Sequence, residues 1–166
     1  SWTSRFLLTI FIILTTQNLI SSPVDDHQER FEDVALKIWE YAELGYLEEK
    51  SSGLLQQELE DSGFTIQSGI AGIPTAFIAE YNNGGPVLGI LGEFDALPGL
   101  SQQNVPFKTA EGLSSANGHA CGHHLFGAAS AWAVVAIKEW LEESGIPGTI
   151  RFYGTPAEEG GSGKVY

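Results

Sequence analysis

The sequence predicts a mixed α/β fold in which helices flank a β-sheet. Two helical patterns come first, and short apolar runs with strand character then alternate with a third helical pattern at residues 124–143. This order is typical of a sheet covered by helices. The length of 166 residues and the apolar content of 43% suit one folded unit with a hydrophobic core.

Apolar residues at helical spacing predict three helices. The first begins at a cap on Asp25 or Asp26 and ends at Gly45, where glycine is a frequent stop signal. The second covers residues 51–61, and the third covers residues 124–143. The predicted buried side of the third helix consists of Leu125, Ala128, Ala129, Trp132, Val135 and Ala136.

Alternating and continuous apolar runs predict strands at residues 64–66, 74–81, 87–91 and 149–153. The continuous run at 87–91 is the pattern of a strand buried on both faces. Residues 98–118 are rich in proline, glycine, serine and glutamine and predict a long loop. Long loops inside compact domains are usually functional.

Charge and cysteine content exclude several functions. The net charge is −13 and the isoelectric point is near 4.5. An acidic surface repels phosphate backbones, so nucleic acid is not an expected partner. With a single cysteine, no disulfide can form within the chain.

Residues 1–25 form a signal-like or anchor-like segment, and residues 26–166 form the folded part. Arg5 precedes an apolar run from Phe6 to Leu14, and small serines follow. The run is shorter than the ~20 residues of a membrane span. A buried helix or an incomplete gene assignment would give the same pattern. A cleaved signal predicts a secreted or periplasmic protein, and otherwise we expect a cytoplasmic one.

Three clusters of chemically active residues lie at residues 92–98, 118–124 and 155–161. The first and third directly follow predicted strands, and the second precedes the third helix. Ligands of open α/β sheets bind outside the carboxyl ends of strands. We therefore expect these three loops to form one site.

The central cluster contains Cys121 and His123, whose thiolate and imidazole suit zinc and similar ions. Two ligands do not make a site, and an isolated cysteine is more often a small buried hydrophobe. Glu158 and Glu159 supply further ligands. On extended backbone their side chains point to opposite sides, so that one binds metal while the other takes a proton from water. The alternative is a solvated acidic turn.

Together, the segments GEFDALPGLSQ, GHACGHH and RFYGTPAEEGGSGK resemble the co-catalytic metallopeptidases. This family includes aminoacylases, carboxypeptidases and auxin–amino acid conjugate hydrolases, and the similarity is greatest to its aminobenzoyl-glutamate utilisation branch. The resemblance covers residues 26–166. It implies the N-terminal part of the catalytic domain of a metallo-aminohydrolase, so we expect a fragment without the dimerisation domain and the C-terminal part.

The resemblance also implies roles for individual residues. Cys121, His123 and Glu159 match metal ligands, Glu158 matches the general base, and Asp95 matches an aspartate that orients the site. The implied cofactor is one or two divalent ions, either zinc or manganese.

Three nearby residues do not follow the family's pattern simply. His124 stands where the family usually has Asp or Asn, and it is an extra ligand, an altered neighbour of a ligand or, as we favour, a helix-start residue. Glu93 stands where some relatives have a metal-binding His or Asp. His119 has no assigned role.

The resemblance implies hydrolysis of the amide bond of an N-acyl or aminobenzoyl amino acid, similar to p-aminobenzoyl-glutamate, or of a dipeptide. The expected partners are a small-molecule amide substrate and, at full length, a second copy in a homodimer. The isolated chain is expected to be inactive. The alternative is a truncated, non-catalytic metal-binding or interaction protein.

Overall fold

A computed structural model describes residues 24–103, 105–107 and 116–166. The described helices are α1 (Gln28–Tyr41), α2 (Glu49–Asp61), α3 (His123–Ser144) and a single helical turn, α4 (Glu158–Gly161). The strands are β1 (Thr65–Ser68), β2 (Phe77–Asn82), β3 (Val87–Gly92) and β4 (Thr149–Gly154). None of the helices in these ranges is long and apolar enough to span a membrane. The signal-like segment lies outside the described residues except for its last two positions, and it stays a prediction.

The four strands form one mixed sheet in the order β1-β2-β4-β3. Strand β2 pairs antiparallel with both β1 and β4, whereas β3 pairs parallel with β4. Parallel neighbours need a crossover connection, and α3 lies within the connection between β3 and β4. The predicted α/β sheet with flanking helices is therefore confirmed.

The hydrophobic core lies between the helices and one face of the sheet. Alternate residues of β2 and β4 point into it, among them Phe77 and Phe152, whose ring centroids are 5.5 Å apart. The intervening residues Ile78, Glu80 and Arg151 are only half-buried. Side chains alternate across a strand, so the described helices cover one face of the sheet and leave the other partly open.

Helix α1 differs from its prediction at both ends. It is preceded by a 3₁₀ turn at Asp25–His27, and no side chain caps its first residues. It ends at Tyr41, before the predicted stop at Gly45, because Ala42 turns into the left-handed region at φ 43°. An alanine in this conformation carries no signal in the sequence, since glycine is the usual residue there.

Helix α3 has the predicted extent to within one residue but a shifted buried side. Leu125 is 58% exposed and Ala129 is also exposed. The residues of α3 that enter the hydrophobic core are Ala128, Ala131, Val134, Val135 and Leu141. An almost uniformly apolar helix allows several faces, and only the position of the sheet selects one.

Strand β3 is present as predicted, but it is not buried on both faces. It is the edge strand of the described sheet, and Val87, Leu88 and Leu91 are 56%, 51% and 44% exposed. Its apolar composition therefore identified a strand correctly and its burial wrongly.

Candidate metal centre

The structure brings the three predicted clusters together at one end of the sheet. The first cluster follows β3, the third follows β4, and these two strands are parallel neighbours. The second cluster leads into α3, whose first residue is His123. The carboxyl ends of adjacent parallel strands thus lie beside the start of a helix, as sheet topology predicts for a ligand site.

His123 lies at the centre of this site, and its side chain is 7% exposed. Its Nδ1 lies 2.8 Å from Asp95 Oδ1, and its Nε2 lies 3.0 Å from Glu93 Oε2. The carboxylates of Glu158 and Glu159 lie 3.9 Å from Nε2 and Nδ1, respectively. One imidazole therefore faces four carboxylates.

This surplus of negative charge controls the protonation of the site. The hydrogen bond to Asp95 raises the pKa of His123 against the opposing effect of burial. Burial alone would raise the pKa of Asp95, but hydrogen bonds from His123 and from the Glu159 N–H outweigh it and lower that pKa. The surrounding carboxylates thus favour positive charge at this position, and a divalent cation would provide the same charge compensation as a protonated imidazole.

Cys121, His123 and Glu159 each have a potential ligand atom, and these atoms lie within 4.8 Å of one another. Glu159 Oε1 is buried without a hydrogen-bond partner in the described structure. A hydrogen bond to Glu159 raises the pKa of the exposed Cys121 thiol. An unsatisfied buried oxygen beside a thiol and an imidazole fits a divalent ion, since thiolate, imidazole and carboxylate are the usual zinc ligands.

A second group shares His123 and consists of Glu93, His123 and Glu158, again with ligand atoms within 4.8 Å. Glu93 is buried, so its unclear position in the family's pattern corresponds to a contact with His123. Lys164 Nζ lies 2.7 Å from Glu93 Oε1 and 3.4 Å from Glu158 Oε1. The ammonium group of Lys164 therefore supplies positive charge beside these two carboxylates.

The Glu158–Glu159 pair is not on extended backbone, as the sequence argument assumed. Both residues begin the helical turn α4, and the preceding Ala157 has a left-handed φ of 56°. The two side chains still separate, because Glu159 joins the group with Cys121 while Glu158 joins the group with Glu93. The predicted separation is thus correct, but its cause is a helical turn instead of strand alternation.

Two residues at the site had no assigned role in the sequence, Lys164 and Glu48. Glu48 is completely buried just before α2, and its Oε1 accepts a 2.7 Å hydrogen bond from the Ala157 N–H. Gly45 lies nearby, and a Cβ at this position would stand 3.0 Å from Ala157 Cα. Gly45 therefore permits close backbone contact and does not stop a helix. No sequence pattern marks a contact between residues 109 positions apart.

His119 and His124 lie side by side next to the site, with ring centroids 5.1 Å apart. His119 Nε2 lies 3.0 Å from the Ile38 carbonyl oxygen, and burial lowers the pKa of His119 to about 4. Burial also lowers the pKa of His124, the second residue of α3. The position of His124 agrees with a helix-start residue, and both rings are neutral near pH 7.

The buried Glu48 predicts an unusual pH dependence of stability. Burial raises the pKa of Glu48 from its ordinary value of 4.5, the charge of Asp95 adds to this, and hydrogen bonds from backbone N–H groups and Thr75 oppose it. Stabilisation by Glu48 is therefore complete below pH 4.5 and is lost as the pH rises through the raised value. We expect Glu48→Gln to remove this pH dependence and to raise the melting temperature at pH 7. Thermal unfolding from pH 4 to 8 tests this, and an equal pH slope in both proteins would contradict it.

Fold and site together define an α/β protein with a candidate divalent-metal centre at the carboxyl ends of two parallel strands. The sequence pattern of peptidase family M20/M25/M40 matches residues 89–166. The chain belongs to this family of peptidases.

Similar proteins support this assignment. The chain is 44% identical over 147 residues to a polypeptide of the p-aminobenzoyl-glutamate hydrolase from Escherichia coli K12, covering 89% of this chain and 31% of that protein. It is 32% identical to the Xaa-Arg dipeptidase of Mus musculus, covering 86% and 32%. The YXEP protein of Bacillus subtilis, a dinuclear metal-binding peptidase of the M20 family, superimposes with a TM-score of 0.67 at 28% identity, covering 81% and 36%. The chain thus spans about a third of the length of these relatives.

Proposed function

We propose that the protein is a metal-dependent hydrolase that cleaves the amide bond of an N-acyl or aminobenzoyl amino acid. One observation carries the proposal. The ligand atoms of Cys121, His123 and Glu159 lie within 4.8 Å of one another, while the neighbouring Glu158 carboxylate faces the same imidazole from a different side. A set of ligands next to a free carboxylate is the arrangement that metal-assisted hydrolysis requires.

Cys121, His123 and Glu159 would hold the first ion, which we propose to be zinc or manganese. Glu93 and Glu158 would contribute to a second ion only if Lys164 moved away, because its Nζ lies 2.7 Å from Glu93 Oε1. A bound divalent ion would polarise the scissile carbonyl and lower the pKa of water at the site. Three protein ligands with an open position are typical of catalytic sites, whereas structural zinc sites are closed by four.

Glu158 is the proposed general base. Its side chain is 32% exposed, so water and substrate can reach it, and Lys164 Nζ lies 3.4 Å from its Oε1. The carboxylate takes a proton from the attacking water and passes it to the leaving amine. Asp95 positions two partners, since one oxygen accepts from His123 and the other from the Glu159 N–H. The reaction would therefore use Glu158 for proton transfer and Asp95 for orientation.

The proposed substrates come from the sequence relatives. The E. coli relative is named for p-aminobenzoyl-glutamate and the mouse relative for Xaa-Arg dipeptides. Both are small molecules with an amide bond next to an amino acid carboxylate. We propose p-aminobenzoyl-glutamate as the first substrate to test, and a homodimer as the functional assembly at full natural length.

The test is a hydrolysis assay on the gene product that carries this chain, at its full natural length. We expect release of p-aminobenzoate from p-aminobenzoyl-glutamate, loss of this activity after chelation, and recovery after addition of Zn²⁺ or Mn²⁺. Arginine dipeptides serve as the second substrate class. A protein that binds zinc but hydrolyses neither class would support the non-catalytic alternative and contradict the proposed function.

Replacing Cys121 with alanine should weaken zinc binding, because a three-residue ligand set becomes a pair. The expected loss is at least about tenfold in affinity, comparable to the 10- to 100-fold effect of losing a residue that supports a ligand. Zinc titration against a competing chelator measures it. His27→Ala is the control, since His27 pairs with Glu139 away from the site. Equal zinc affinity in the Cys121 variant and the wild type would contradict this ligand assignment.

A further inference from the structure

Glu48 stands out because it is a completely buried carboxyl group without an ion-pair partner among the described residues. Its Oε1 accepts from the Ala157 N–H at 2.7 Å, and its Oε2 accepts from Thr75 Oγ1 at 3.2 Å. Burying a carboxylate without a cation is unfavourable. A residue of this kind therefore calls for a compensating role.

The position of its main partner indicates the role. Ala157 precedes Glu158 and has a left-handed φ of 56°, which is unfavourable for a residue with a Cβ. Its N–H donates to Glu48, and its carbonyl oxygen accepts from the N–H groups of Gly161 and Gly163, each at 3.1 Å. The strained residue is thus held at both of its backbone polar groups.

A second buried carboxylate holds the other side of the same turn. Asp95 Oδ2 accepts from the Glu159 N–H at 2.9 Å, and Asp95 is 1% exposed. The two amides that flank Glu158 along the chain are therefore bound by Glu48 on one side and by Asp95 on the other. Such a clamp fixes the backbone from which both Glu158 and Glu159 project.

We infer that Glu48 is a positioning residue, which places the proposed base Glu158 and the proposed ligand Glu159 by accepting the Ala157 N–H. The inference rests on the proposed function for its catalytic consequence. The clamp itself is a property of the fold. Displacement of a catalytic group by about 1 Å can lower a rate by about 100-fold, so the loss of this acceptor should mainly reduce kcat.

Three substitutions separate the acceptor from the charge and from the volume of the side chain. Glu48→Gln keeps an oxygen for the Ala157 N–H but removes the charge. Glu48→Asp keeps the charge but withdraws it by one methylene group, and Glu48→Met fills the space without an acceptor. Leu59→Ala is the matched control, because Leu59 is a fully buried core residue of α2. It should lower stability without moving the turn.

The first measurement is amide hydrogen exchange at Ala157 and Glu159 in the protein at its full natural length. We expect protection in the wild type and in the Gln and Leu59→Ala variants, and loss of protection in the Asp and Met variants. If the Met variant does not fold, the Asp variant carries the test. Unchanged protection at Ala157 in the Asp variant would overturn the inference, whether or not the protein is an enzyme.

The second measurement compares kcat, KM and the affinity for Zn²⁺ alone. We expect the Asp and Met variants to lose about 10- to 100-fold in kcat and about tenfold in zinc affinity, with little change in KM, while Gln keeps wild-type values. If Gln is as impaired as Met, or if Met and Asp behave like Leu59→Ala, Glu48 is not a positioning residue. A wild type that neither binds zinc nor turns over would instead refute the proposed function, and the exchange result would still stand.

Discussion

Replacing Glu158 with glutamine is expected to lower kcat by about 10²- to 10⁴-fold, the range of a general base. Glutamine has the same shape but cannot take the proton of the attacking water. Zinc affinity should stay close to that of the wild type, since Glu158 is not in the group of Cys121, His123 and Glu159. The measurement is steady-state hydrolysis together with zinc titration of the same preparation.

Glu142→Gln is the matched control for this experiment. Glu142 is a surface residue of α3 that pairs with Lys138 away from the site, so its substitution should change neither quantity. Normal turnover in the Glu158 variant would refute the assignment of the base. Loss of zinc together with turnover would instead show that Glu158 acts as a ligand, which its membership of the second group permits.

Replacing Asp95 with asparagine is expected to weaken zinc binding by about 10- to 100-fold, as is usual for residues that orient a ligand. Asp95 accepts two hydrogen bonds, from His123 Nδ1 and from the Glu159 N–H. An asparagine side chain has one acceptor oxygen, so one of these donors must face an NH₂ group. Two of the three proposed ligands lose part of their support, and activity should fall with metal occupancy.

Zinc titration and activity at saturating zinc distinguish Asp95 from Glu158. The Asp95 variant should recover most of its activity as zinc is raised, whereas the Glu158 variant should not. Asp33→Asn is the control, since Asp33 pairs with Lys37 on the surface. An Asp95 variant with unchanged zinc affinity would show that its two hydrogen bonds do not support the ligands.

Local patterns were sufficient for the elements that carry the site. The strands before residues 92–98 and 155–161 and the helix after residues 118–124 lie where apolar periodicity predicts them, because periodicity reflects which residues face a core. The convergence of the three loops was also predictable, since carboxyl ends of parallel strands meet at one edge. The roles of individual residues came from the family resemblance, and they stay predictions.

Other features depend on contacts between distant parts of the chain. The exposure of β3 follows from its edge position, and the buried side of α3 follows from where the sheet lies. The end of α1 depends on a left-handed alanine, which does not differ in sequence from any other alanine. Periodicity reports neither strand order nor backbone strain, so it predicted the existence of these elements and erred in their details.

The sequence by itself determined the fold class, the three loops and the kinds of side chain available for metal chemistry, because residue type and spacing are local. Only the tertiary structure decided how those groups are held. It placed His123 among four carboxylates, brought Lys164 to Glu93 and buried Glu48 against Ala157. Each of these contacts joins residues 28 or more positions apart. Their strength depends on distance and burial, which a linear sequence does not contain.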